Sequence, residues 1–379
     1  MNRIYCDISA TTPLDPHVAR YMSNLQQDTY GNPSSIHREG QAAKSVIEKS
    51  RRQIAQVLNS QPDNIIFTSS GTESNNMILK GVLKAGDHFI TSSYEHPAIL
   101  KVLPYLKKKG IDFSLVKPDN KGIVNPESVE KEIQRNTKLI SIMYVNNELG
   151  TINPIKEIAN LVKEKSILFH SDAVQALGKI SLDMHDITAD FLSFSAHKLY
   201  GPKGCGALFI RKGSNIEPLI YGGGQESNLR GSTENIIGIG GFGLAAELSA
   251  IGLDENTENI MHLESNFIDQ LNNSSISYKI NGDNRIPGVM NITFYEIDGK
   301  NLVMQLDMLG IGISFGAACA SGTMQTSNML LDMGLTKSDA LSTVRISFGK
   351  IHSKKDVDVV TKSIESIINK SSNKELVNV

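Results

Sequence analysis

Cysteine is scarce in this chain of 379 residues: Cys6, Cys205 and Cys319 are the whole complement. Three thiols cannot build a disulfide framework, which excludes a small stapled secreted domain and suits a reducing cytosol. Net charge is equally slight, −2 at neutral pH, and argues against a nucleic-acid footprint. The basic run Lys107-Lys108-Lys109 follows an apolar helical pattern and is most simply a solvated helix end. Long hydrophobic runs are lacking too. The least polar window, Ile236 to Gly252, is rich in glycine and contains Glu247, so a membrane span is not expected. Near the N-terminus, Arg3 and Asp7 interrupt any apolar core that a signal peptide would need. Internal repeats and low-complexity segments are absent. What is present is ordinary: 40% hydrophobic and 21% charged residues, in a chain long enough for a large and a small domain. The expectation is a cytoplasmic globular protein without nucleic-acid or membrane partners.

Apolar runs and helical periods alternate along the chain. Helical spacing covers about Asp15 to Leu25 and Glu39 to Leu58, separated by the turn-rich Gly31-Asn32-Pro33-Ser34-Ser35-Ile36-His37. Strands follow at Ile65–Phe67, Phe89–Ile90, Asp112–Val116, Leu139–Met143, Ile167–His170, Phe191–Leu192 and Gly206–Ile210. Between them lie helical patterns at Glu73–Leu83, Pro97–Lys108, Pro126–Gln134 and Ile155–Lys165. This rhythm implies βαβ units and a mainly parallel sheet covered by helices, with sites at the carboxyl ends of its strands. Glu234 to about Leu271 reads as one long helix or two joined. Beyond it, short strands (Ser277–Ile280, Val289–Phe294, Val344–Ser347) mix with helices (Lys300–Leu309, Asn328–Met333, Lys354–Asn369) in a smaller α+β domain. The expected division is residues 11–257 for the large domain, and 1–10 with 258–379 for the small one. The polar tail from Ser371 is expected to fray.

Reactive or small polar residues gather where the strands end. Asp190-Phe191-Leu192-Ser193-Phe194 runs into Ser195-Ala196-His197-Lys198-Leu199-Tyr200-Gly201-Pro202. A lysine just past a buried strand must be paired or have its pKa lowered, which suits Schiff-base chemistry; a surface lysine beside a turn is the plainer alternative. Thr68-Ser69-Ser70-Gly71-Thr72-Glu73-Ser74 opens a helix and reads either as an anion cradle or as a plain Ser/Thr cap. Glu95-His96-Pro97 offers a histidine that could equally be structural. Asn146-Asn147-Glu148 and His170-Ser171-Asp172-Ala173-Val174-Gln175 follow the next strands, and a buried Asp172 would need a partner. Cradle, histidine, aspartate and lysine in this order along the chain meet the needs of pyridoxal phosphate, whose phosphate, ring nitrogen and aldehyde they would engage.

On these segments the chain resembles the cysteine desulfurases of the NifS/IscS type, within the class V aminotransferase group of fold-type I pyridoxal-phosphate enzymes. Further motifs carry the resemblance over nearly the whole length: Asp7-Ile8-Ser9-Ala10-Thr11-Thr12-Pro13, Gly31-Asn32-Pro33-Ser34-Ser35, Gly222-Gly223-Gly224-Gln225-Glu226 and Arg345-Ile346-Ser347. It implies that Lys198 forms the Schiff base with pyridoxal phosphate and that His96 stacks on the ring and shuttles a proton. It further implies that Asp172 pairs with the ring nitrogen and Gln175 bonds the phenolic oxygen. Gly71, Thr72, Ser195 and His197 would hold the phosphate, joined by Thr233 reaching across a homodimer. Asn147 and Arg345 would bind the substrate carboxylate. No metal is implied.

The residue that separates a desulfurase from its aminotransferase relatives is the sulfur acceptor. Ser314-Phe315-Gly316-Ala317-Ala318-Cys319-Ala320-Ser321-Gly322-Thr323 is almost all small residues around one cysteine, and is expected to be a mobile loop. By the resemblance, L-cysteine yields L-alanine and a Cys319 persulfide. The sulfur then passes to an acceptor protein for iron–sulfur cluster assembly or thiolated tRNA or cofactor synthesis. Cys6 and Cys205, in apolar or turn contexts, read as small buried hydrophobes. A selenocysteine lyase, a class V aminotransferase and a non-catalytic cofactor-binding scaffold are the alternatives. The first differs in selenide against sulfide release; the second needs no such cysteine loop; the third predicts damage in the lysine–aspartate–histidine set. One departure stands out. Where the family has Arg-Ser-Gly-Thr or Arg-Ala-Gly-Thr, this chain has Arg230-Gly231-Ser232-Thr233, which moves the residue free to take positive φ.

Overall fold

A computed structural model of the chain describes residues 3–315 and 328–377, so Cys319 and its small-residue neighbours lie outside the described residues. Strand β1 (Ile4–Tyr5) opens the chain, and helices over Pro16–Asp28 and Arg38–Val57 follow. Seven strands then build the main sheet: β2 (Ile65–Thr68), β3 (His88–Ser92), β4 (Asp112–Val116), β5 (Thr137–Ser141), β6 (Leu168–Asp172), β7 (Phe191–Ser195) and β8 (Gly206–Ile210). Their order across the sheet is β2-β8-β7-β6-β5-β3-β4. Strands β2, β3, β7 and β8 are buried at every position, as strands covered on both faces must be.

Pairing is parallel from β4 through to β7, whereas β8 runs antiparallel to both β7 and β2. The reason lies in the chain between β7 and β8. A parallel return needs a crossover of a dozen or more residues, and Ala196 to Cys205 is too short for one. Only a reversal fits. Because β8 is reversed between two strands of common direction, β2, β5, β6 and β7 all end at the same edge of the sheet.

A second sheet, antiparallel, contains β9 (Tyr278–Asn281), β10 (Val289–Phe294) and β12 (Thr343–Ser347) in the order β12-β10-β9. The short β11 (Ile311–Gly312) pairs in parallel with β1. Its own apolar core joins Cys6, Phe267, Met290, Ile292, Leu306, Val344 and Ile364, so the first residues of the chain pack with the last hundred.

Two details depart from the sequence expectation, and one that it left open is decided. The Pro97–Lys108 pattern is two helices, Pro97–Leu100 and Leu103–Lys108, because Pro104 near the second start supplies no N–H to continue the first. The long stretch after Glu234 is likewise two, Ile236–Ile251 and Leu253–Asn272, bent by 70° around Gly252. No single helix among the described residues is long and apolar enough to cross a membrane. At the other end, the polar tail expected to fray is helical as far as Val377; no glycine or proline stands between Lys354 and Val377 to stop it.

Candidate active site

The common edge of β2, β5, β6 and β7 opens on a cleft of about 880 Å³, counting its open mouth. Gly71, Thr72, His96, Asn147, Asp172, Gln175, Ser195, His197, Lys198 and Arg345 all line it. Thr233 does not: it is exposed on the loop that follows Gly231.

Lys198 closes a 3₁₀ turn (Ala196–Lys198) directly after β7. Its Nζ donates to the backbone carbonyls of Ser9 and Ala10, 2.7 Å to each. The same N-terminal segment laces over the turn at other points. The Thr12 N–H and hydroxyl both donate to the His197 carbonyl, Tyr200 N–H donates to Thr12 Oγ1, and His197 Nδ1 lies 3.0 Å from Thr11 Oγ1. Burial, then the charges of Lys198, Lys203, Lys179 and His96, push the His197 imidazole down to about 4. At neutral pH it is an uncharged ring.

Both sequence readings of the Ser/Thr segment hold in part. Ser70 is the cap of the helix Gly71–Val82, accepting from the Glu73 N–H, while Glu73 reaches back to the Ser69 N–H. That leaves the first-turn N–H groups of Gly71 and Thr72 without intrahelical acceptors at the cleft wall, as an anion site requires. Gly71 is needed there: a Cβ would come within 2.5 Å of Val174 Cγ2. Arg230 bonds Glu73 through Nε at 2.8 Å, so this cation holds the helix start, and holds the Glu73 carboxyl below its ordinary range against burial.

Asp172 ends β6, buried. Its Oδ2 accepts from Asn75 Nδ2 at 2.7 Å and its Oδ1 from the Val174 N–H at 3.0 Å, with no cation partner among the described residues. Gln175 donates from Nε2 to the Ser9 carbonyl, and its Oε1 accepts from Lys179 Nζ. His96 caps the helix Pro97–Leu100, with Nδ1 accepting from the Ala98 N–H at 3.1 Å. A neutral His96 therefore carries its proton on Nε2. Arg345, on β12, is 2% exposed. It donates to the Asn147 carbonyl and to Asp7 Oδ1, and its Nε has no acceptor among the described residues.

Asn75, Glu95 and Lys179 carry no role in the sequence reading. Asn75 had a signal, since it stands one helical turn beyond Gly71 and Thr72 on the same face. Lys179 stands four residues from Gln175, but outside any helix that spacing does not say that the two meet. Glu95 stands beside His96 in the sequence, and only the tertiary structure sets it between strand ends. No cluster of three or more His, Cys, Asp or Glu side chains among the described residues is placed to hold a metal.

Residues 4–360 match the aminotransferase class-V family. A protein of Dictyoglomus turgidum named "Cysteine desulfurase IscS" is 41% identical over 373 residues, 97% of this chain and 95% of its own. The solved structure titled "NIFS-LIKE PROTEIN" superposes with a TM-score of 0.91 at 38% identity, covering 97% of this chain and 99% of that one. Another, titled "SspA in complex with cysteine", superposes with a TM-score of 0.81 at 37% identity, covering 91% and 98%.

Proposed function

Because the chain belongs to the aminotransferase class-V family, we propose that the cleft is the active site of a pyridoxal-phosphate-dependent cysteine desulfurase. In this reading L-cysteine is converted to L-alanine and the sulfur is held as a persulfide on Cys319. The observation that carries the assignment is the convergence of Lys198, Asp172, His96 and the start of the Gly71–Val82 helix on one sheet edge.

The residues fit the cofactor. Among the described residues Asp172 is bonded by neutral donors alone, an arrangement that a protonated pyridine nitrogen would complete. The free N–H groups at Gly71 and Thr72, with Ser195 and the neutral His197, would take the phosphate. Bound pyridoxal phosphate supplies an aldehyde that captures amines and a ring that withdraws electrons from the substrate Cα. Lys198 lies on the short tether of its 3₁₀ turn. When its amine leaves the Ser9 and Ala10 carbonyls, it is the base within the cleft for the substrate Cα proton. His96, with Nδ1 occupied by the Ala98 N–H, works through Nε2 and can give a proton to, or take one from, the substrate thiol. Asn147 and Arg345 receive the carboxylate. Asp7 already holds one edge of the guanidinium, which fixes its plane in advance.

Cys319 takes the sulfur. In its favour, Cys6 and Cys205 are both buried, and burial pushes each thiol up to about 12, which leaves almost no thiolate at neutral pH. The persulfide sulfur then goes to an acceptor protein that feeds iron–sulfur cluster or thiolated tRNA or cofactor synthesis in the cytoplasm.

The working unit is a homodimer, with Thr233 offered to the partner's phosphate site. Two loops support this. Tyr30 and Ile36 are 79% and 92% exposed, and Tyr221 is 76% exposed. Their loops lie side by side along one cavity lined by Pro33, Ser34, Gln225 and Ser227. Large side chains this exposed, on loops that share one cavity wall, favour a partner surface as their cover. The division into domains at residues 11–257, and 1–10 with 258–379, is part of the same reading and draws on the separate core around Phe267.

The test is a spectrum of the cofactor-loaded protein, followed by L-cysteine with alanine and sulfide assayed together. Equal yields of alanine and sulfide with a thiol acceptor are expected. Lys198→Ala should lose the visible band and the borohydride-reducible lysine adduct; an adduct that survives would place the cofactor elsewhere.

A further inference from the structure

Lys179 lies four residues beyond Gln175 and does not line the active-site cleft. It lines a second cavity of about 660 Å³, shared with Ser9, Lys198 and Phe348, which Gln175 in turn does not line. The two side chains meet between the cavities, Lys179 Nζ donating to Gln175 Oε1. No carboxylate accepts from this ammonium among the described residues. A buried lysine without a counter-ion is costly, and burial, reinforced by the charges of Lys198 and Arg345, pushes it down to about 7. Whether charged or neutral, the amine still has an N–H to give, so the contact with Oε1 stands in both forms.

The consequence falls on the amide of Gln175. Its Nε2 faces the Ser9 carbonyl at 2.8 Å, and its Oε1 faces Lys179. Flipping the amide would set donor against donor at Lys179 and acceptor against acceptor at Ser9. Both contacts therefore choose one orientation, which leaves the second Nε2 proton for the cleft. We propose that Lys179 is a positioning residue that holds Gln175 with its N–H edge toward the phenolic oxygen of the cofactor. The inference rests on the reading of the cleft as a pyridoxal-phosphate site.

The readout is the pH midpoint of the visible band of the loaded protein. A donor on the phenolic oxygen draws charge from it and loosens its hold on the neighbouring proton. Losing that donor should raise the midpoint, by about three- to tenfold in the proton equilibrium for one hydrogen bond. Lys179→Met, with Lys179→Leu as a second uncharged replacement, is expected to raise it in the same direction as Gln175→Met. Lys179→Arg, which keeps a donor, should stay near the parent. The decisive comparison is the double variant: with Gln175→Met in place, Lys179→Met should add nothing. A parental midpoint in both uncharged variants, or shifts that simply add, would overturn the proposal. A parent protein with no visible band would instead sink the reading of the site, and the two failures are thereby distinct.

Discussion

Ser232 takes φ +115°, a region that glycine enters freely and that costs a side-chain-bearing residue about 1–3 kcal/mol. By the resemblance drawn from the sequence, this is the position at which glycine is usual. The glycine of this chain, Gly231, is held by another need, since a Cβ there would lie 2.7 Å from the Gly222 backbone. The strain and the close approach thus sit on adjacent residues. Ser232→Gly should stabilise the protein by about 0.5–1 kcal/mol after the added unfolded-state entropy is counted, read as a higher urea midpoint; a lower midpoint would mean that the loop stores no strain. A second prediction concerns sulfur. Cys319→Ser should keep the visible band of the loaded protein and abolish cysteine-dependent sulfide release, whereas Cys205→Ala should keep both. A serine variant that transfers sulfur at near the parental rate would oblige Cys6 or Cys205 to carry it, against their buried, strongly raised thiols.

Among the elements, the ends of β3 and β5 are tied by one carboxyl group. Glu95 Oε1 accepts from Ser92 Oγ at 2.6 Å and from the Met143 N–H at 2.9 Å, and Oε2 is buried without a partner. Burial raises this carboxyl from 4.5 to about 8, so at neutral pH it is protonated. Between those values the native protein binds a proton that the unfolded chain has lost. Its stabilising contribution is therefore whole below about pH 4.5 and is lost as pH rises through 8. Glu95→Gln keeps the acceptor and should flatten that alkaline limb at little cost at pH 7. Glu95→Ala should cost about 2–4 kcal/mol by stranding two buried donors. Urea titrations at pH 6 and pH 9 separate the cases; an equal pH slope in parent and Glu95→Gln would refute the assignment. The elements themselves were largely legible, because runs such as Phe191–Ser195 and Gly206–Ile210 are mostly apolar and carry no charge within either strand, as suits strands buried at every position. The bend at Gly252 was left open, since the composition of Ile236–Leu271 fits one helix as well as two.

For the whole molecule the expected state is a dimer at micromolar concentration, checked by sedimentation velocity. Tyr221→Glu with Ile36→Glu should convert it to monomer and reduce cofactor affinity, because each site would lose the partner's Thr233; a fully active monomer would remove the cross-subunit reading. Antiparallel β8 was hidden in the pattern of alternation, although the ten residues from Ala196 to Cys205 leave no length for a crossover. The sequence by itself determined the alternating strands and helices, the small-residue composition around Cys319, and the order of Gly71, His96, Asp172, Lys198 and Arg345 along the chain. Periodicity and turn chemistry are local, and a strand's reactive residue is written where the strand ends. Tertiary structure alone decided what holds those residues: Ser9 and Ala10 over Lys198, Asn75 on Asp172, Asp7 on Arg345. These partners stand up to 338 residues apart. Hydrogen bonds at such separations depend on which strands are neighbours and in which register. That is settled by burying both faces of a whole sheet at once, and no local window of sequence contains it.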